Sequence, residues 1–229
     1  MLLVESVNKT YPNGTQALDH AKLEVRPGEI VAVVGGSGCG KSTLLRLIAG
    51  LDMPTHGRIQ LDGEMIRSPL PTIGLVFQEP RLLPWLTVAQ NIGFGLYTRP
   101  RAERERLVND VLQHVGLADY ANSWPRELSG GQAQRVAIAR ALAQRPLVML
   151  ADEPVASLDP EAAQDIMQLL RGLAHNEGHA VLCVLHQVDL AFDFADRVVG
   201  MRDGRIEFDA QRADLSRDAV QLLYLAEAA

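Results

Sequence analysis

Apolar and polar residues alternate in two short runs near the start of the chain, LLVES and AKLEV. Turn-forming combinations, PNG, RPG and LDG, occur beside them in the first 70 residues. Alternation with a period of two is typical of strands that bury one face, and such turns connect neighbouring strands. The N-terminal region is therefore predicted to form an antiparallel β-sheet.

Four nearly unbroken apolar runs predict a second kind of strand, buried on both faces: EIVAVVGG, TIGLVFQ, LVMLAD and AVLCVLH. Helical patterns follow the first, third and fourth of these runs, as KSTLLRLIAG, DPEAAQDIMQLLRGLAH and QVDLAFDFA. Strands that alternate with helices in this way form βαβ units. The chain is therefore predicted to have an α/β fold with a mainly parallel sheet.

Between residues 79 and 135 the pattern becomes helical and polar, with RAERERLVNDVLQHVGL as its clearest helix. We interpret this region as a helical subdomain inserted into the α/β domain. Later, Asp-Gly separates two apolar runs in VVGMRDGRIEFDA (198–210), which predicts a β-hairpin. The whole chain, 1–229, is expected to be one domain.

Composition excludes several classes of protein. The net charge of −6 gives no basic footprint for nucleic acid, and no nucleic-acid partner is expected. No apolar run reaches the 18 residues of a membrane span, and Glu5 interrupts the place of a signal peptide. Cys39 and Cys183 form no CxxC pair, which favours a reducing compartment. Any work at a membrane must proceed through a partner.

A phosphate-binding motif stands between the first buried strand and its helix. GGSGCGKS (35–42) matches GxxxxGK[ST], whose successive backbone N–H groups cradle phosphates. Lys41 is expected to bridge the β- and γ-phosphates and the Ser42 hydroxyl to coordinate Mg²⁺. Alkylation of the Cys39 thiol, at a helix N-terminus, is predicted to block nucleotide binding. The residues expected to contact the nucleotide here are Gly35, Gly36, Ser37, Gly38, Cys39, Gly40, Lys41, Ser42 and Thr43.

Polar residues end three of the buried strands. Asp152 and Glu153 follow LVMLA, and we expect Asp152 to bind Mg²⁺ and Glu153 to polarise the attacking water as general base. Gln78 and His186 close TIGLVFQ and AVLCVLH. Ligands bind at the C-terminal ends of such strands. Gln78 is therefore predicted to bind Mg²⁺ or position water, and His186 to contact the γ-phosphate.

The other histidines are interpreted as structural. His175 and His179 have the spacing of two metal ligands on a helix, but Gly178 lies between them and no cysteine or carboxylate cluster supports a metal site. The remaining three are His20, His56 and His114.

A second glycine-rich helix start, LSGGQ (128–132), lies far along the chain from the phosphate loop. LSGGQ is the signature sequence of ATP-binding cassette (ABC) transporters. Together with GGSGCGKST, VMLADEP, SLD and the terminal histidine of AVLCVLH, it makes essentially the whole chain resemble their nucleotide-binding subunit. The resemblance implies the ABC ATPase fold, a P-loop NTPase core with an N-terminal antiparallel β subdomain and an inserted helical subdomain.

The same resemblance implies an ATPase with ATP and Mg²⁺ as cofactors, working as an ATP-dependent head-to-tail homodimer. Each ATP lies between the phosphate loop of one chain and the signature of the other. Tyr11 aligns with the aromatic residue that stacks on adenine, and Asp159, in SLD, resembles the loop residue that links the two sites. The residues implied to meet the γ-phosphate in trans are Ser129, Gly130, Gly131 and Gln132.

Resemblance to importer subunits further implies transmembrane permease subunits and a periplasmic or lipid-anchored substrate-binding protein. The chain would be peripheral, at the cytoplasmic face of a bacterial inner membrane. The permease would dock beside EPRLLPWLTVAQNIGFGL, the segment after Gln78. Its apolar residues have two interpretations, docking surface or core of the helical subdomain. They include Leu82, Leu83, Trp85 and Phe94.

The motifs point to two substrate classes. LHQVDLA, ASLDP and YPNGTQALDH look most like phosphonate importer ATPases, a group with phosphite and hypophosphite relatives. FQEPRLLPWLTVAQNI looks more like importers of nitrate, sulfonates and taurine.

Three rival functions would also use a phosphate loop: an efflux or lipoprotein-release ATPase, an ABC protein acting on ribosomes or DNA, and a P-loop kinase. A role on ribosomes or DNA lacks support because no second cassette or long coiled-coil insertion is present. The kinase is disfavoured by LSGGQ and by Glu153 after Asp152. An efflux or lipoprotein-release ATPase stays open, and a neighbouring gene for a periplasmic binding protein would argue against it.

Overall fold

The computed structural model describes residues 1–218, 220 and 221, so the end of the predicted domain, 222–229, lies outside the described residues. The strands are β1 Leu2–Thr10, β2 Gln16–Val25, β3 Ile30–Val34, β4 His56–Leu61, β5 Glu64–Met65, β6 Ile73–Val76, β7 Val148–Asp152, β8 Ala180–Val184, β9 Arg197–Arg202 and β10 Arg205–Gln211. The helices of more than one turn are α1 Lys41–Ile48, α2 Val88–Gly93, α3 Arg101–His114, α4 Gly130–Leu142, α5 Pro160–Glu177 and α6 Val188–Phe194.

The larger sheet has six strands in the order β10-β9-β3-β8-β7-β6, and every pair except β10 with β9 is parallel. Its central strand, β3, is buried along its whole length. Ile30, Ala32 and Val34 belong to the core on one face of the sheet, and Val31 and Val33 to the core on the other. Burial on both faces explains the unbroken apolar run and confirms the predicted parallel sheet.

The smaller sheet, β2-β1-β4-β5, is antiparallel throughout, as the alternating pattern predicted. Leu2 and Val4 of β1 share a core with Leu44 and Leu47 of α1. The smaller sheet therefore packs over the helix that follows the phosphate loop, and it brings the Tyr11 region towards that loop.

The region between β6 and β7 is helical, with α3 ending at His114 inside the predicted segment. Helix α4 extends seven residues beyond 135 and packs on β6. A Cβ added at Gly74 would lie 3.2 Å from the Ala141 Cβ, so the missing side chain permits this close approach. The insertion and the sheet are thus joined through one helix that belongs to both.

Two strands end earlier than the sequence predicted. β6 ends at Val76 and β8 at Val184, so Gln78 and His186 follow their strands rather than close them. The predicted hairpin is present as β9 and β10, and its Asp203-Gly204 turn has φ of 47° and 78°. A two-residue turn with both residues left-handed matches the twist of the two strands that it connects.

The two histidines at the end of α5 have separate hydrogen-bond partners. Gly178 is left-handed and ends α5, which separates His175 from His179. His175 Nε2 lies 2.9 Å from an Asp196 carboxylate oxygen, and His179 Nδ1 lies 2.8 Å from the Pro146 carbonyl oxygen. Within the described residues there is no metal-ligand cluster and no helix long and apolar enough to cross a membrane.

Candidate nucleotide site

A cavity of about 180 Å³ lies over the start of α1, at the C-terminal edge of the larger sheet. The first turn of a helix has backbone N–H groups without helical partners, and these attract anions. The cavity therefore combines a helix N-terminus with hydroxyl, carboxylate and imidazole groups. Its lining consists of Ser37, Gly38, Gly40, Lys41, Ser42, Thr43, Glu153 and His186.

Two glycines of the loop are required by the surrounding backbone. Gly35 has φ of 151°, and a Cβ there would lie 2.2 Å from the Met201 carbonyl oxygen. Gly40 has φ of 107°, and a Cβ there would lie 2.4 Å from the Ala17 carbonyl oxygen. Any larger residue at either position would displace the loop, because both obstacles are backbone atoms.

The side chain of Lys41 lies along the inside of the loop. It is 5% exposed, and Nζ donates to the carbonyl oxygens of Gly35 at 2.8 Å and Gly36 at 2.6 Å. A nearly buried ammonium group needs such partners. Neither oxygen belongs to a carboxylate, so these two hydrogen bonds do not engage Lys41 in an ion pair that would compete with an anion in the cavity.

Cys39 supports the loop from below. Its side chain is 6% exposed and belongs to the core between the two sheets. Cys183 is fully buried in β8, and this burial raises the pKa of its thiol. Because the Cys39 side chain is nearly buried, its reaction with a thiol reagent requires the loop to open first.

Ser42 and Asp152 bring two oxygen atoms together beneath the cavity. Ser42 Oγ donates to Asp152 Oδ1 at 3.2 Å, joining the start of α1 to the end of β7. Burial raises the pKa of the Asp152 carboxyl, and the Ser42 hydrogen bond opposes this in part. A hydroxyl and a carboxylate are hard oxygen donors of the kind that Mg²⁺ prefers, so this pair fits that ion.

Glu153 and His186 form a close pair at the edge of the cavity. Glu153 Oε1 lies 2.5 Å from His186 Nε2. Glu153 has a left-handed backbone with φ of 51°, which is unusual for a residue with a Cβ. Its N–H donates to the Val184 carbonyl oxygen at 3.2 Å, so the backbone is tied to β8 where that strand ends. The turn directs the carboxylate towards the cavity rather than along the strand.

Gln78 is the one predicted catalytic residue that the cavity does not include. It is exposed, in the bend after β6, and is not among the described residues that line the cavity. The sequence placed it with Glu153 and His186 because it follows a neighbouring strand. β6 is the edge strand, and β7 separates it from β8. The end of β6 therefore lies to one side of the cavity that Glu153 and His186 line.

Tyr11 lies beside the loop. Its hydroxyl is 3.4 Å from Thr43 Oγ1, and the Lys9 ammonium lies 5.0 Å from the centre of its ring. A ring next to the phosphate loop and at the end of β1 is suitably placed for stacking on a base.

The signature forms a well-capped helix start away from the cavity. Ser129 Oγ accepts from the Gln132 N–H at 3.2 Å, and Gln132 Oε1 accepts from the Ser129 N–H at 2.9 Å. None of the signature residues lines the phosphate-loop cavity. A second helix start that can attract an anion is thus present, and it lies outside the phosphate-loop cavity.

The SLD segment packs directly against the signature. A Cβ at Gly130 would lie 3.1 Å from Leu158 Cδ2, and one at Gly131 would lie 3.0 Å from the Ala162 Cβ. Asp159 caps α5, because Oδ1 accepts from the Ala162 N–H at 2.9 Å. The two glycines therefore let the starts of α4 and α5 lie together as one surface.

A groove of about 630 Å³ opens between α2 and α3. Trp85, Phe94 and Tyr97, in and around it, are 68%, 59% and 79% exposed. Leu82, in contrast, packs against the core, as the second interpretation predicted for part of this segment. The groove residues are Leu86, Ala89, Gln90, Gly93, Phe94, Tyr97, Arg104, Glu105, Val108 and Asn109.

Sequence reasoning missed the support that the hairpin gives to the loop. The Gly204 N–H donates to the Cys39 carbonyl oxygen at 3.1 Å, and the Gly204 carbonyl oxygen accepts from the Asp19 N–H at 2.8 Å. The Asp-Gly pair signalled a turn, but no sequence signal indicated what that turn would touch. The phosphate loop is therefore held by a segment more than 160 residues away.

Residues 18–156 match the family model described as "ABC transporter", more than half of the chain. The chain belongs to this family. An ABC ATPase subunit binds ATP and hydrolyses it to power transport, together with permease subunits.

Two relatives in the ABC family belong to importers of different substrates. This chain is 45% identical over 239 residues to the phosphonates import ATP-binding protein of Thiobacillus denitrificans, covering 98% of this chain and 92% of that protein. It is 47% identical over 207 residues to an aliphatic sulfonates import ATP-binding protein of Xanthomonas axonopodis, covering 88% of this chain and 82% of that protein.

A solved ABC structure shows the assembly of a relative. It is the dimeric, post-hydrolysis state of an ATP-binding cassette with bound ADP and phosphate, 36% identical to this chain with a TM-score of 0.82. It covers 93% of this chain, and this chain covers 99% of it. The fold and the activity of this ABC subunit are thereby established together.

Proposed function

We propose that this chain is the ATP-hydrolysing subunit of a bacterial importer for phosphonates or phosphite, held at the cytoplasmic face of the inner membrane by its permease. One observation supports the phosphonate class: the phosphonate relative aligns with 98% of this chain, against 88% for the sulfonate relative. The sulfonate relative is slightly more identical where it aligns, so an importer of sulfonates, taurine or nitrate is the second candidate.

The proposed chemistry follows from the cavity. Glu153 accepts a proton from the attacking water, and the adjacent imidazole of His186 orients that carboxylate and contacts the γ-phosphate. Lys41 and the backbone of the loop bind the phosphates, and Tyr11 stacks on adenine. Ser42 and Asp152 would hold Mg²⁺, and Gln78 is proposed to reach it or to position the attacking water. When bound, Mg²⁺ neutralises charge on the phosphate oxygens.

The second half of each site comes from another copy of the chain in this proposal. The signature does not line the phosphate-loop cavity of its own chain, and its helix start is exposed. Head-to-tail pairing places Ser129 and Gly130–Gln132 against the γ-phosphate of the partner, and it places Asp159 between the two sites. Occupancy by ATP then favours the dimer, and hydrolysis releases it.

Ser129→Arg is expected to abolish this pairing while leaving nucleotide affinity of the monomer within about twofold, because the signature is outside the monomer's cavity. Gel filtration with ATP measures pairing, and calorimetry measures affinity. Ser129→Ala is the control: it removes the same cap, worth about 1 kcal/mol, without adding bulk or charge, and should still pair. Normal pairing by Ser129→Arg would contradict the trans arrangement.

The groove between α2 and α3 is proposed as the permease dock, because its exposed aromatic side chains offer apolar area beside Arg104 and Glu105. Phe94→Asp is expected to reduce co-purification with the permease at least about tenfold, because it introduces a charge into an apolar contact. ATP affinity should not change. Tyr120→Asp, an exposed aromatic outside the groove, is the control. Undiminished co-purification of Phe94→Asp would reject the groove as the dock.

The substrate class is tested on the substrate-binding protein encoded beside this chain. We would purify it and measure by calorimetry its affinity for methylphosphonate, phosphite, taurine, methanesulfonate and nitrate. Tight binding of methylphosphonate or phosphite, with stimulation of ATP hydrolysis in the reconstituted transporter, supports the proposal. Tight binding of a sulfonate or nitrate overturns it and favours the second candidate.

A further inference from the structure

The bend that carries Gln78 is clamped by side chains of α4. Gln134 Nε2 donates to the Phe77 carbonyl oxygen at 3.0 Å. The Arg140 guanidinium donates to the carbonyl oxygens of Pro80 at 2.9 Å and Arg81 at 3.0 Å. One helix therefore fixes the backbone on both sides of Gln78, which itself remains exposed.

Both clamping side chains are unusual for their surroundings. Gln134 is 1% exposed, in a helix face that otherwise packs in the core. Arg140 is mostly buried, burial lowers its pKa, and no ion pair of Arg140 occurs among the described residues. Burying an amide and an unpaired cation is costly unless their hydrogen bonds are needed. Their shared target is the backbone of this one bend.

The bend is also strained and internally braced. Arg81 has a left-handed backbone with φ of 47°, a conformation that costs energy for a residue with a Cβ. Its guanidinium lies 4.1 Å from the centre of the Phe77 ring, so a cation–π contact joins the two ends of the bend. Such a conformation persists only where neighbouring contacts hold it, and the Arg140 hydrogen bond to the Arg81 carbonyl oxygen is one of them.

The same helix begins at the signature. Ser129 caps α4, and Arg140 follows Gln132 by about 12 Å at the usual rise of a helix. An uninterrupted helix of this length moves as a unit. Gln78, assigned above to one site, and Ser129, assigned above to the partner's site, are thus attached to opposite parts of one helix.

We propose that Arg140 and Gln134 are positioning residues that fix Gln78 relative to the signature helix. Neither lines the phosphate-loop cavity among the described residues, and they act through the backbone of residues 77–81. The inference rests on the proposed role of Gln78 and specifies the residues through which that role is linked to the second site. Loss of the clamp leaves ATP bound but separates Gln78 from the movement of α4.

The test is a double-mutant cycle in the reconstituted transporter, with Arg140→Met, Gln78→Ala and the pair combined. Arg140→Met should leave the ATP affinity within about twofold and lower kcat about tenfold to a hundredfold, as misplacement of a positioning group does. The combined variant should be no slower than Gln78→Ala alone, because both changes remove one function. If Arg140→Met caused only structural damage, its fold-loss in kcat would instead multiply with the fold-loss of Gln78→Ala.

Arg135→Met is the matched control. Arg135 lies on the same helix, but its guanidinium donates to the Val115 carbonyl oxygen and pairs with Asp165, away from the bend. We expect kcat of Arg135→Met to stay within about twofold of the wild type. If Arg140→Met fails to fold, Gln134→Met takes its place in the cycle, with the same expected result.

The outcomes separate the two proposals. If Gln78→Ala keeps the full rate, the proposed role of Gln78 fails, and the inference falls with it. If Gln78→Ala is slow but Arg140→Met is not, the inference alone is overturned. It is overturned equally if the two losses multiply or if Arg135→Met matches Arg140→Met.

Discussion

Glu153→Gln is expected to bind ATP with near-normal affinity and to hydrolyse it about 10² to 10⁴ times more slowly, the usual worth of a general base. Glutamine keeps the size of the side chain and an oxygen that His186 can reach, but it cannot accept the proton of the attacking water. Since we propose that hydrolysis releases the dimer, the variant should also accumulate as an ATP-bound dimer. Steady-state phosphate release and gel filtration with ATP measure both effects.

The chain offers a matched control for this substitution. Glu177 also pairs with a histidine, since its carboxylate lies 3.1 Å from His114 Nε2, but it stands at the end of α5, outside the cavity. Glu177→Gln therefore removes a similar carboxylate–imidazole pair without touching the nucleotide, and kcat should stay at the wild-type value. Full activity of Glu153→Gln would remove Glu153 from the role of base.

Lys41→Ala is expected to weaken ATP binding by about tenfold to a hundredfold, because charge-assisted hydrogen bonds to phosphate are worth about 1.5–3 kcal/mol. The loss has a second cause in the structure. The carbonyl oxygens of Gly35 and Gly36 lose their donor, so the loop itself is less well held. Calorimetry with ATP and Mg²⁺ gives the affinity.

Two further variants separate these causes. Lys41→Met fills the same space without the charge and should bind ATP as poorly as Lys41→Ala if charge dominates. Lys22→Ala removes one exposed positive charge that does not line the cavity, and its affinity should match that of the wild type. Unchanged ATP affinity in Lys41→Met would contradict the assignment of this side chain to the phosphates.

Periodicity predicted the two sheets, because each kind of strand has its own pattern of burial. β1 and β2 bury one face and alternate, whereas β3 buries both faces and does not. The phosphate loop and Asp152 could be located for a related reason. Both stand where a buried parallel strand ends, and such ends gather at one edge of a sheet.

The features that the sequence did not reveal depend on contacts between distant segments. Nothing local indicated that Glu153 would turn left-handed, or that Gln78 would leave the cavity because its strand lies at the sheet edge. The exposure of Trp85 and Phe94 is equally non-local, since an apolar residue in a helical segment suits either core or surface. These properties are set by which neighbours the fold supplies.

The position of β3 has a consequence for the newly made chain. This strand begins at residue 30 and leads into the phosphate loop, but both of its neighbours, β8 and β9, begin at or after residue 180. At ordinary rates of synthesis, the strand leaves the ribosome on the order of 10 s before either neighbour exists. During that interval its apolar residues have neither of their neighbours in the sheet. We therefore expect the nascent chain to acquire the ability to bind ATP only near the end of translation.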